Sequence, residues 1–339
     1  MFTSQDIDPG LTGECLKEAM KASISKREIL AEGFLYEQTI LMIAADPGIG
    51  KSPISTQVAI ELAAGLPVFG VFRPLRPLKV LYIQTERNII EFLERMDTIS
   101  RVLPILYDNL VITDNYQRFN LLNYAHTQLF LECVKRDCPN VDVIFIDPIY
   151  PLVSGGLKDD TPASAFTKAM SRLQKETKAM LWYNHHTTKA IYTSKGDVID
   201  KEDPFYGSQW LKAHVTGSYH MKKHDSGVKM IRKKDNYSLL PEEITLEYNP
   251  ETELCFIPLE EMPAIERVRT FLNAKKVEGK EFYFNDLSLA TKLCHRTLRR
   301  LLCHSSISSK ISVVSSKRNK NLYKIVEDKK SCAVPLPSI

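Results

Sequence analysis

Short apolar runs and stretches of helical spacing take turns along the chain from Gln38 to Tyr183. The apolar runs are Gln38–Ala44 (QTILMIA), Lys79–Gln84 (KVLYIQ), the weaker Leu110–Thr113, Val141–Ile146 (VDVIFI) and Ala179–Tyr183 (AMLWY). Each has strand length, carries β-branched or aromatic residues, and lacks the polar alternation of a half-exposed strand. Between them, Ser52–Ala64 places Ile54, Val58 and Leu62 on one helical face and stops at Gly65. Asn88–Leu103, Leu121–Arg136 and Ala163–Thr177 are the other helices expected. Apolar strands joined through helices describe an α/β fold with a mostly parallel sheet covered on both faces.

After Asp203 the pattern changes. Val215–Lys222, Val228–Lys233, Glu243–Tyr248 and Leu254–Ile257 read as short strands joined by turns, an antiparallel extension of the sheet. Residues 1–37 form an irregular lead-in with a helix over Glu14–Ala22. Pro258–Pro263 (PLEEMP) breaks regular structure, and three helices follow at Ala264–Ala274, Asn285–Lys292 and His295–His304. A β-rich stretch, Ile307–Val326, comes after them, which is the element order of a winged helix. The expected divisions are therefore a lead-in (1–37), a large α/β unit (38–258), a small winged-helix-like unit (263–328) and a tail (329–339).

Charge sharpens this division. From Ala264 to Lys330 there are 16 Lys or Arg against 6 Asp or Glu, a net of +10, so the rest of a chain of net +4 sums to −6. A basic module on an acidic body points to a polyanion as the partner of the module. With 44% hydrophobic and 25% charged residues the composition is that of a folded protein. No apolar run reaches the roughly 18–20 residues that span a bilayer, and the first charges are acidic, unlike a secretory signal. A cytoplasmic location without membrane association is expected. The seven cysteines are scattered, with no Cys-x-x-Cys pair, so buried thiols are expected ahead of a disulfide framework or a zinc site.

The candidate chemistry begins where the first strand ends. Ala45, Asp46, Pro47, Gly48, Ile49, Gly50, Lys51 and Ser52 fit the phosphate-binding loop pattern, with Ala45 in place of the usual first glycine. Such a loop turns its backbone N–H groups onto phosphate oxygens; Gly48 and Gly50 permit those dihedrals, and the next helix adds its positive end. Lys51 is expected to reach the β- and γ-phosphates of ATP, and Ser52 to place its hydroxyl on Mg²⁺. Pro53 falls in the first turn of the helix, where proline is tolerated.

Asp147 ends the VDVIFI run and is a candidate Mg²⁺ ligand; the alternative is an acid opening a turn before Pro148. Glu86 follows KVLYIQT, which brings it to the carboxyl edge of the sheet. It is a candidate base for the attacking water, or an acid favourably placed at a helix N-terminus. His185 and His186 close the run that begins with AMLWYN. One of them, His186 in our assignment, would sense the γ-phosphate or pass its presence to DNA-binding loops; the alternative is a satisfied histidine at the sheet edge. Adjacent side chains on a strand point apart, which argues against a joint metal site.

These segments together resemble the RepA-like hexameric helicases and their AAA-type relatives in the RecA-like superfamily. The resemblance covers residues 30–250 and rests on ADPGIGKS, LYIQTE, VIFIDPIYPLVSG, WYNHHTTK, YGSQWLKAH and IRKKDN. It implies a RecA-like P-loop ATPase with ATP and Mg²⁺ as cofactors, Glu86 as the catalytic glutamate and Asp147 on the metal. It further implies a His-His-x-x-Lys segment at His185, His186 and Lys189, a Gly-Ser segment at Gly207 and Ser208, and a basic pair reaching a neighbouring subunit's nucleotide. Arg232 and Lys234 are the candidates for that pair; the alternative is a solvated strand face. The ring hexamer follows from the resemblance alone. After Gly207 and Ser208 the chain departs from the family's small-residue helix, with Gln209, Trp210, Leu211 and Lys212.

Two long polar segments, Ser154–Pro162 and Ala190–Pro204, are candidates for contacting single-stranded DNA, or are plain surface loops. In the basic module, Arg296, Arg299 and Arg300 on the third helix, with Lys317, Arg318 and Lys320 beyond it, suit a duplex-binding helix and wing. Protein docking and a merely soluble basic cap are the alternatives. The whole-chain expectation is an ATP-driven DNA motor, a replicative helicase of a mobile element or phage. A recombination or loader ATPase, and a nucleotide-switched DNA-binding protein without unwinding activity, are the other two readings.

Overall fold

The computed structural model describes residues 12–325 except 25–27, 87, 104–106, 154–155, 158, 188–190, 193–197, 200–208, 259, 279–280 and 318–319. Expectations placed on Lys189, Gly207, Ser208, Arg318, most of the 190–204 segment and the 329–339 tail lie outside the described residues.

In chain order the elements open with α1 (Gly13–Ile24), β1 (Ile29–Ala31), β2 (Leu35–Tyr36), β3 (Ile40–Ala45), α2 (Lys51–Ala64), β4 (Val80–Gln84) and α3 (Ile89–Ser100). Then come β5 (Leu110–Thr113), α4 (Tyr124–Asp137), β6 (Val143–Asp147), α5 (Asp160–Thr177) and β7 (Met180–His186). A small hairpin, β8 (Ile191–Tyr192) and β9 (Val198–Ile199), and a short helix α6 (Gln209–His214) lead to β10 (Gly217–His224), β11 (Gly227–Asp235), β12 (Glu243–Asn249) and β13 (Leu254–Phe256). The C-terminal part holds α7 (Ala264–Glu278), β14 (Phe282–Tyr283), α8 (Phe284–Thr291), α9 (His295–Leu302), α10 (Ser305–Ser308), β15 (Ile311–Lys317) and β16 (Lys320–Ile325).

The central sheet has nine strands in the order β13-β12-β11-β10-β3-β7-β6-β4-β5. From β10 to β5 every pairing is parallel; β11, β12 and β13 extend the sheet antiparallel, as the change of pattern after Asp203 implies. All residues of β3, β4 and β6 are buried. Their runs lack polar alternation because both faces are covered.

Alternation along the strands sorts these residues into two cores. Leu41, Ile43, Val80, Tyr82, Val143, Phe145, Met180 and Trp182 join the core that contains residues of α2 and α3. Ile40, Met42, Leu81, Ile83, Ile144, Ile146, Leu181 and Tyr183 join the core that contains residues of α4, α5 and α6. Because the side-chain period is two, a one-residue slip of any strand would exchange its two faces.

Several boundaries move for local reasons. Helix α4 starts at Tyr124 rather than Leu121, because the Asn123 side chain accepts from the N–H groups of Ala125 and His126 and caps it. Helix α5 starts at Asp160, ahead of Pro162, which a first helical turn accommodates. Strand β7 continues through both histidines instead of stopping at Tyr183. A separate apolar cluster, with Val268, Leu272, Phe282, Leu287, Leu298, Ile307 and Tyr323, belongs to residues 264–325 alone. There the strands form a three-stranded sheet ordered β14-β16-β15, including a short strand before α8 that no apolar run in the sequence announces. The described cysteines are free, and no helix among the described residues is long and apolar enough to cross a membrane.

Candidate nucleotide site

Strand β3 delivers the loop. Gly48 has φ 81° and Gly50 φ 110°, so both lie in the left-handed region that side-chain-bearing residues rarely adopt. No protein atom lies within 4 Å of where a Cβ would stand at either position. Conformation, not crowding within the chain, therefore requires glycine there. Gly50 is also the N-cap of α2, with no side-chain cap on the helix's first N–H groups. Those donors and the positive helix end are available to phosphate oxygens.

Lys51 is the first residue of α2. Its Nζ donates to the carbonyl oxygens of Ala45 at 2.6 Å and Asp46 at 3.2 Å, so the amine lies against the loop. Burial lowers its pKa, opposed by the charges of Asp147, Asp46 and Glu86. The charges of those three carboxylates thus partly offset the burial of one ammonium.

Asp147 is 2% exposed at the end of β6, and its Oδ2 accepts from the Tyr82 hydroxyl at 2.6 Å. Register explains the pairing: Gln84 on β4 stands beside Asp147, and both Tyr82 and Asp147 take the α2 side of the sheet. Tyr82 is held protonated, its pKa raised well above the usual value by burial and then by the Asp147 charge. Glu86 lies two residues past β4 and is exposed, with its N–H near Gln84 Oε1 at 3.4 Å.

The two histidines part company on β7. Met180, Trp182, Asn184 and His186 alternate onto the α2 side, whereas Leu181, Tyr183 and His185 take the opposite side. His186 stands level with Ala45. Burial and then Lys51 lower its pKa, while Glu86 and Asp147 act in the other direction. The imidazole is therefore neutral at pH 7 and within the electrostatic reach of all three groups. Below it, Ser55 on α2 donates to Asn184 Oδ1 at 2.9 Å, and the Trp182 indole donates to Ser55 Oγ at 3.0 Å. This buried triad fixes α2 against β7, directly beneath the loop.

Beyond the residues anticipated from the motif, Tyr82 and the Ser55–Trp182–Asn184 triad hold the site in shape. Strand alternation alone places Tyr82 on the right face once register with β6 is known. Thr187 adds a hydroxyl donated to Asp46 Oδ1.

Arg232 and Lys234 do not join this cluster. The Arg232 guanidinium bonds the Leu240 carbonyl, Asp235 and Glu242, bracing the turn after β11. Lys234 Nζ donates to the carbonyl oxygens of Lys212 at 2.8 Å and Ala213 at 3.0 Å, closing the end of α6. A register shift in β11 opposite Ser218 and Tyr219 leaves Lys233 between them as the exposed cation of the run.

A loop with open backbone donors, a lysine at the helix start and an acid two strands away define a P-loop nucleotide-binding protein on an α/β sheet. The sequence matches the family described as AAA domain over residues 14–191, more than half of the chain. The chain belongs to this family of P-loop ATPases, which typically use ATP and Mg²⁺. Among solved structures it is similar to a KaiC-like protein of the hyperthermophilic archaeon Pyrococcus horikoshii. Identity is 13%, over 67% of this chain and 93% of that one, with a TM-score of 0.47. No curated protein matches the chain.

The residues present suit both groups. The glycine cradle suits a triphosphate. Among the described residues no three His, Cys, Asp or Glu side chains gather into a metal cage. Mg²⁺, which keeps water and phosphate oxygens, asks for only one or two protein ligands, and the Asp147 carboxylate at the end of β6 is of the kind it takes.

Proposed function

We propose that the protein is an ATP-hydrolysing, DNA-associated motor, of the RepA-like replicative helicase kind. The observation that carries this reading is the placement of Lys51, Asp147, Glu86 and His186 at or just past the carboxyl ends of the neighbouring parallel strands β3, β6, β4 and β7. Residues 45–53 bind the nucleotide, and Lys51 holds the β- and γ-phosphates. Ser52 and Asp147 are the residues to hold Mg²⁺, which when bound neutralises charge on the transferring phosphoryl group. Glu86 accepts a proton from the attacking water. Neutral His186 hydrogen-bonds at the γ-phosphate position without adding charge.

In this reading residues 38–258 are the RecA-like ATPase body and 263–328 a winged-helix-like module that binds duplex DNA. Three observations support the module: the helices α7, α8 and α9 followed by the β15–β16 hairpin, the exposed Arg296, Arg299 and Arg300, and the net charge of this part of the chain. Subunits assemble into a ring, a hexamer by family resemblance. Arg232 and Lys234 are the candidates to act across its interfaces once released from their bonds within the chain. Those bonds favour a second reading, a nucleotide-switched DNA-binding protein that hydrolyses without unwinding.

The deciding experiment measures ATPase rate with and without single-stranded DNA, for the intact chain and for Lys51→Ala. Hydrolysis stimulated by DNA and lost in the variant supports the motor. Hydrolysis indifferent to DNA overturns the motor, and absence of hydrolysis overturns the roles of Glu86 and Asp147.

A further inference from the structure

Just past Asp147 the chain makes a turn whose apolar residues all point inward, with one exception. Ile149, Leu152 and Leu157 are 0% exposed and Val153 is 3% exposed, yet Tyr150, among them, is 48% exposed. The segment is tied down on several sides. Ile149 N–H donates to the Asn184 carbonyl at 3.1 Å, and Leu121 N–H to the Leu152 carbonyl at 2.9 Å. The Thr85 hydroxyl donates to the Pro148 carbonyl. Within the turn, Val153 N–H donates to the Tyr150 carbonyl at 3.1 Å and Gly156 N–H to the Val153 carbonyl at 3.2 Å.

Gly156, at φ 85°, lies alongside the Tyr150 ring: a Cβ there would stand 3.7 Å from Cε2. The ring is thus carried on a turn anchored in the core, with Gly156 leaving space beside its edge. A flat aromatic surface on an anchored turn can accept a partner's ring without ordering of the backbone that carries it.

Resting on the motor reading above, we propose that Tyr150 is a stacking platform for a base of single-stranded nucleic acid, held at the carboxyl edge three residues from Asp147. A base inside a duplex has both faces covered by its neighbours, whereas an unpaired base presents a free face to an exposed ring. The position suits coupling, because the same short segment carries Asp147 at one end and the ring at the other. A base pulling on Tyr150 therefore acts on the turn that begins at the metal-binding acid.

The test uses the full chain and a labelled oligo(dT) followed by fluorescence anisotropy, with Tyr150→Ala and Tyr150→Trp. The alanine variant is expected to bind the oligonucleotide about ten-fold more weakly. Its unstimulated ATPase rate and its KM for ATP should be unchanged. The tryptophan variant should bind within about two-fold of the parent, and its emission should change on binding. Equal binding by parent and alanine variant overturns the platform while leaving the motor standing. A raised KM for ATP with unchanged oligonucleotide binding also overturns it, by assigning the ring to adenine. A parent chain that binds no oligonucleotide overturns the motor reading, and this inference with it.

Discussion

At the carboxyl edge of the sheet Lys51 feels the opposing charges of Asp147, Asp46 and Glu86, and it is buried. On α9, Arg296, Arg299 and Arg300 stand exposed, with no carboxylate bonded to any of them among the described residues. The helix is anchored by Leu298, which is 0% exposed, so the three arginines occupy the remaining face at i, i+3 and i+4 spacing. The first arrangement is balanced: a buried ammonium is offset by the charges of three carboxylates. The second is unbalanced and suits an extended polyanion that brings its own charge. One pattern places a reaction and the other a surface, although both are rich in charge.

The largest effect is expected where the balanced cluster is disturbed. Glu86→Gln keeps size and hydrogen-bonding capacity but cannot take a proton. Single-turnover hydrolysis should fall on the order of 10²–10⁴-fold, while binding of a fluorescent ATP analogue stays within a few-fold. Unchanged turnover would remove Glu86 from the chemistry and leave it as a helix-start acid.

The comparison also marks what could be read from residues alone. VLYIQ and VIFID are legible because a strand buried on both faces must be apolar throughout, and the loop from Ala45 to Ser52 is legible because only glycine tolerates the dihedrals at residues 48 and 50. That His185 and His186 part is legible from strand alternation, but which of them takes the α2 side follows only once the register of β7 against β3 is known. Arg232 and Lys234 look free in sequence; their partners at Leu240, Lys212 and Ala213 come from a turn and a helix end that the strand pattern does not place. Glu61 and Gln57 are polar, yet both are among the 12 buried residues of α2. Their partners, Phe69 and Cys255, come from a loop and a strand that no local signal brings near.

The unbalanced region is tested next. Replacing Arg296, Arg299 and Arg300 with alanine should weaken duplex DNA binding roughly ten- to hundred-fold at moderate salt. The slope of log affinity against log salt should become shallower by about 0.9 for each phosphate that is no longer neutralised. Unstimulated ATPase should not change, since none of the three lies at the sheet edge. A variant with the parent's affinity and salt slope would turn the module from nucleic acid to protein docking.

The smallest effect is in the body, at the far end of the helix that starts with Lys51. Glu61 is 1% exposed and accepts from Gln57 Nε2 at 2.9 Å and from the Phe69 N–H at 3.1 Å. Around it stand Gln57 from α2, the Phe69 backbone, and the Cys255 thiol of β13, itself pushed up to about 11 by burial and then by Glu61. With no cation bonded to it, burial raises the Glu61 pKa to about 8. The folded state therefore binds a proton that the unfolded chain, with its carboxyl at 4.5, releases earlier. The stabilisation is fully present below the unfolded value and is lost as pH rises toward 8, by up to ~1.4 kcal/mol per pH unit. Glu61→Gln cannot titrate. Its amide meets a donor where the carboxyl accepted, a loss of ~1–2 kcal/mol that does not depend on pH. Urea melts of the two proteins from pH 5 to pH 9 should give stability curves whose separation changes steadily up to about pH 8 and is constant above it. Parallel curves across the range would mean that Glu61 stays ionised inside the fold. The buried end of α2 would then hold an uncompensated charge, as α9 does, but without the solvent that the exposed arginines have.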